Sequence, residues 1–120
     1  MGLALLLTAC GAVKAQGVAD VTVSYVRSHP EATDCVTLKV SDHAAPEKKT
    51  SQSTNLVDAT KPSGTLYFGV QQDTGWSETL DIVAELHIGM CDSAAVATQS
   101  VTKTLLVNKR VEALLVLQQP

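Results

Sequence analysis

Long apolar runs, clustered cations and aromatic side chains are all scarce in this chain, and each shortage removes a class of function. No apolar run approaches the roughly 20 residues that a membrane-spanning helix needs. Nine Lys and Arg against twelve Asp and Glu give a net charge of −3. The cations are scattered, so the basic footprint of a nucleic-acid binder is missing. Aromatics make up 3% of the residues, too few for the row of exposed rings on which a sugar-binding module stacks its ligand. Charged residues account for only 18%, against 45% hydrophobic, a balance that argues against disorder and suits packed sheets. The 120 residues make one domain, large enough to bury a core without a structural metal.

The clearest pattern present runs over residues 75–91. Leu80, Ile82, Ala84, Leu86, Ile88 and Met90 share one parity, while Asp81, Glu85 and His87 share the other. A period of two describes a strand with one buried and one wet face; at helical spacing the same apolar residues smear around the cylinder.

The other segments read as partners for it. Residues 18–26 form a strand with Val21, Val23 and Tyr25 on one face, and Pro30 then marks a turn. Residues 33–41 follow, with Val36, Leu38 and Val40 inward. Residues 42–54 lack periodicity and read as a mobile surface loop. A weak strand is expected at 55–58, a turn at Lys61-Pro62-Ser63-Gly64, and a firmer strand at 65–70 with Leu66, Phe68 and Val70 on one side. Residues 94–104 and 111–117 close the domain. The run Leu114-Leu115-Val116-Leu117 is apolar on both parities, so its outer face is either covered or docks on something. About seven short strands without a convincing helix predict an all-β antiparallel sandwich.

Cys35 is out of phase with Val36 and Leu38, and Cys91 with Ile88 and Met90 unless a bulge at Gly89 shifts it, so both are expected on the outer side of a sheet or just off a strand end. A bridge between them would be a surface staple rather than an inter-sheet core disulfide. Two free thiols, serving as a metal or redox pair, are the alternative.

The N-terminus suggests the compartment. The apolar run over residues 1–7 ends in Leu7-Thr8-Ala9-Cys10-Gly11, which resembles the bacterial lipobox, where a signal peptide is cut before a cysteine that carries diacylglycerol. The resemblance implies a signal peptide over residues 1–9, an acylated Cys10 and a tether over 10–17, with the sandwich at 18–120. No Lys or Arg precedes the run and it is short for a signal core, so the true start is expected upstream of Met1. A leader cut elsewhere, after Ala15, is the alternative.

Several segments together resemble the small β-sandwich modules of bacterial envelope lipoproteins, of transthyretin-like or carboxypeptidase-regulatory-like, immunoglobulin-like type. They are Val21-Thr22-Val23-Ser24-Tyr25, Cys35, Gly75-Trp76-Ser77, Cys91 and the closing strand. The resemblance implies a fold and an envelope address, outer membrane on its periplasmic or surface face, and carries over no catalytic residue.

Chemistry-bearing clusters are sparse. His29, His43 and His87 have no second His or Cys at ligand spacing, so no metal or other cofactor is expected. Asp81, Glu85 and His87 form a row that could hold a cation weakly, but the expected reading is a solvated strand face. Asp42, His43 and a distant Ser could be strung into a triad, yet no Gly-x-Ser-x-Gly elbow presents a nucleophile. Trp76 is expected to cap the core where the long strand begins. The expected function is therefore a lipid-anchored, non-catalytic structural or interaction module, held to the membrane through Cys10 and docking an envelope protein. The alternative is a module for carbohydrate or a divalent cation, using Trp76 or the Asp81–Glu85–His87 face.

Overall fold

Alternation of apolar and polar side chains along the central strands organises the two layers. A computed structural model describes residues 17–72 and 75–120; the leader, Cys10 and the tether up to residue 16 lie outside them. Among the described residues there are seven strands: β1 (Val18–Val26), β2 (Cys35–Asp42), β3 (Lys49–Asn55), β4 (Ser63–Gln71), β5 (Thr79–His87), β6 (Ala95–Thr104) and β7 (Arg110–Gln118). They form a three-stranded sheet of order β4-β1-β7 and a four-stranded sheet of order β3-β2-β5-β6. The chain is an all-β sandwich.

The core lies between the inward parities of the two sheets. From the three-stranded sheet come Ala19, Val21, Val23 and Tyr25 of β1, Phe68 and Val70 of β4, and Ala113, Leu115 and Leu117 of β7. From the other come Val36, Leu38 and Val40 of β2, facing Leu80, Ile82, Ala84 and Leu86 of β5. Burying each of the larger of these side chains contributes about 1.5–3 kcal/mol, the main force holding the layers together.

Pairing is antiparallel throughout except between β1 and β7, which run parallel from Val18↔Arg110 to Val26↔Gln118. The short connection over residues 105–109 explains this. It carries the chain from the edge of one sheet to the edge of the other at the end where β1 begins, so β7 must leave in the direction of β1.

Three local expectations need correction. The segment over 42–54 is not one long loop: its second half is β3, paired in antiparallel register with β2 from Ser41↔Lys49 to Cys35↔Asn55. Its sequence Lys-Thr-Ser-Gln-Ser-Thr-Asn hides the strand because this edge strand places polar residues on both faces, leaving no hydrophobic period to read. The weak strand expected at 55–58 is absent, since pairing stops at Asn55 and Leu56 turns its side chain into the core. Likewise β5 ends at His87, so Met90 is 55% exposed instead of continuing the buried row.

Candidate functional site

The outer face of the four-stranded sheet carries Asp81 and Glu85 of β5. Cross-strand partners engage both. Asp81 accepts from Thr102 Oγ1 at 2.6 Å and lies 3.0 Å from His43 Nδ1. The Thr102 hydroxyl first, and His43 after it, outweigh partial burial and hold the Asp81 carboxyl below the usual carboxylate range. Glu85 pairs with Lys39 Nζ at 3.1 Å, and its Oε1 is 3.2 Å from His87 Nε2.

His87 is not on a wet face; it is 6% exposed. A fold-back over residues 88–94 covers it. His87 Nδ1 donates to the Ser93 carbonyl at 2.7 Å, Ser93 Oγ donates to the carbonyls of Ile88 and Met90, and Gly89 N donates to Asp34 Oδ1. Gly89 has φ of 89°, a conformation that costs a side-chain-bearing residue free energy. A register shift between Leu86 and His87 starts this departure from the ladder.

The same fold-back brings Cys91 onto Cys35. The two are disulfide-bonded with Cα atoms 5.0 Å apart. Both cysteines belong to the four-stranded sheet and its following loop, so the bridge does not join the layers. It is not an exposed staple, however, because the covering loop removes Cys35 from solvent completely.

Trp76 stands apart from the charged row. Its side chain is half-buried and packs on the core, and its carbonyl accepts from Gln72 Nε2 at 2.8 Å. It therefore does not converge with Asp81, Glu85 and His87 into one site. Beside it, Asp42 accepts from the backbone N of Ser77 at 3.0 Å and from Ser77 Oγ at 2.5 Å. Ser77 donates to this buried carboxylate, whereas the His43 ring is bonded to Asp81. Asp42, His43 and Ser77 thus form no relay from serine through histidine to aspartate. Among the described residues no group of three or more His, Cys, Asp or Glu side chains is placed to hold a metal ion.

No protein family, curated protein or solved structure matches this chain. Function must be read from its own residues.

The most elaborate polar constellation was not singled out from the sequence. Arg27 follows β1 on its inward parity, and its side chain is wholly buried. The guanidinium contacts Asp34 Oδ2 at 3.0 Å and the carbonyls of Glu31, Leu56, Asp58 and Lys61 at 2.9, 3.4, 3.0 and 2.6 Å, 5.5 Å from the Tyr25 ring centroid. Burial would raise the pKa of Asp34, but N–H bonds from Gly89 and Glu31 and the Arg27 charge together hold it below its ordinary value. The signal was available in the sequence: Arg27 continues the row Val21, Val23, Tyr25. These groups bind three loops together at one end of the sandwich.

Two surfaces remain. Lys39, Ser41, Pro46, Lys49, Ser51 and Val83 line a groove of about 520 Å³ on the outer face of the four-stranded sheet. On the outer face of the other sheet, Tyr67, Leu114 and Val116 are exposed by 71%, 72% and 52%. Their positions follow from the ladder, because Thr22 of β1 pairs with both Tyr67 and Leu114.

Proposed function

We propose that this protein is a lipid-anchored component of the bacterial envelope whose sandwich serves as a non-catalytic structural or interaction module, of the transthyretin-like or carboxypeptidase-regulatory-like type. The Cys35–Cys91 bridge carries the reading. A disulfide on a domain of this size fits an oxidising compartment, and it accounts for two of the three cysteines. The remaining one, Cys10, stands in Leu7-Thr8-Ala9-Cys10-Gly11, the context expected of an acylated cysteine. Exposed Tyr67, Leu114 and Val116 supply the surface for a protein partner in the envelope. Asp81 is engaged by Thr102 and His43, and Glu85 by Lys39 and His87, which favours this reading over cation or sugar binding at that face.

The test is incorporation of radiolabelled palmitate by the native chain and by Cys10→Ala in a bacterial host. Label in the first and none in the second supports the anchor. Equal labelling, or no label in either, overturns it.

A further inference from the structure

We infer that the turn between β6 and β7, with Leu106 and Val107 at its tip, lies against the lipid surface to which the chain is anchored. The inference rests on the proposed acylation of Cys10, and it assigns the turn a role that the anchor alone does not.

Leu106 and Val107 are neighbours exposed by 55% and 60%. The turn that presents them is held on every side. Leu105 is 1% exposed and its N donates to Glu78 O at 2.7 Å. Lys109 N donates to Leu106 O at 3.0 Å, and Val18 N donates to Lys109 O at 3.1 Å. Asn108 completes the turn in the left-handed region at φ 61°, where asparagine is tolerated best among residues with side chains. Two apolar side chains fixed outward in this way lose little further freedom on contact with a surface.

Chain length then says which surface. A Cβ on Gly17 would strike the Leu106 carbonyl oxygen, 2.5 Å away, so the chain enters β1 packed against this turn. Gly17 follows Cys10 by seven positions, a distance that even a fully extended chain spans in at most about 25 Å. An acyl chain on Cys10 therefore keeps the Leu106–Val107 end of the sandwich near the bilayer. Lys109 adds a cation beside the tip. Arg110 is held by Asp20 at 2.6 Å, and Glu78 lies next to Leu105, so attraction to anionic headgroups is weak and apolar insertion dominates. Tyr67, Leu114 and Val116 face sideways from the sheet and do not share the end surface.

Trp76 is a built-in reporter, because it precedes β5 at the end where Thr79 pairs with Thr104. The experiment uses the full chain carrying Cys10→Ala, so that no acyl group contributes, with vesicles of phosphatidylcholine and phosphatidylglycerol in equal parts containing headgroup-spin-labelled phosphatidylcholine. Expected are quenching of Trp76 fluorescence and a fall in partitioning of about tenfold when Leu106→Ser and Val107→Ser are added, with Leu114→Ser and Val116→Ser without effect. All variants keep the same N-terminal residues, so differences report the turn. Unquenched Trp76, equal partitioning of all variants, or loss only with the Leu114 and Val116 changes overturns the inference. So does a dimer formed without vesicles and abolished by the Leu106 and Val107 changes, which would give the turn to a second copy. Failure of palmitate labelling would remove the anchor without altering this result, which is obtained without it.

Discussion

Arg27 Nη1 and Asp34 Oδ2 lie 3.0 Å apart with both side chains sealed from solvent. Such a pair is costly to bury and costlier to break, because removing one charge strands the other. Asp34→Asn is expected to destabilise the domain by about 3–5 kcal/mol. Adding Arg27→Met should restore part of that loss, since it removes the stranded cation. Urea denaturation of the two single variants and the double variant measures the coupling. Additive losses would show that the pair acts as two independent sites.

Acid should loosen the fold through several carboxylates at once. Asp34, Asp42 and Asp81 are all held below their ordinary pKa, Asp42 chiefly by the Ser77 hydroxyl; Asp20 is held low chiefly by Arg110 and Asp58 by Thr60. With folded-state values depressed, the unfolded chain takes up protons first as pH falls. Their contribution is complete above the unfolded value of about 4 and declines as pH drops through the folded values. The urea midpoint should therefore be level from about pH 7 to 5 and fall below about pH 4. Asp42→Asn should make that fall shallower, and a profile identical to wild type would remove Asp42 from the account.

Reduction of the Cys35–Cys91 bridge opens a loop with a sequence separation of 56 residues. Chain entropy assigns such closure about 4 kcal/mol, with measured cases falling on either side. The Cys35→Ala, Cys91→Ala chain should unfold at lower urea by roughly that free energy. Hydrogen exchange should rise first at residues 88–94, because Gly89 and Ser93 then hold the fold-back without the covalent link. Uniform exchange across β2 and β5 would mean that the bridge supports the whole sheet equally.

The strands legible in the sequence were those whose two faces differ. β1, β4 and β5 alternate cleanly, and the structure buries the residues on the apolar parity, Leu66 of β4 only in part. β3 was illegible because Thr50, Gln52 and Thr54 face inward at the sheet edge, where polar side chains are tolerated. Parity misplaces His87 because it reports which way a side chain leaves its strand, not what later folds over it. Gly89 and the Cys91 bond draw residues 88–94 back across that face. Arg27 is illegible for the opposite reason: its inward parity can be read, but a charge at the end of a strand reads as solvated unless Asp34 and four backbone carbonyls are known to meet it.

The register of β7 gives the sharpest single test of the sandwich. Leu114 and Leu115 are adjacent and chemically identical, yet Leu114 is 72% exposed and Leu115 only 3%. In the parallel ladder Leu115 sits opposite Val23, inside, and Leu114 opposite Thr22, outside. A slip of one residue would exchange the two. Leu115→Ala is expected to cost about 2–5 kcal/mol through lost burial and the cavity left behind. Leu114→Ala, on a surface position, should change stability by no more than about 0.5 kcal/mol. Paired denaturation curves decide the matter: comparable losses at the two positions would mean that the outer face of β7 is covered in the isolated protein, and the reverse order would put β7 in the other register.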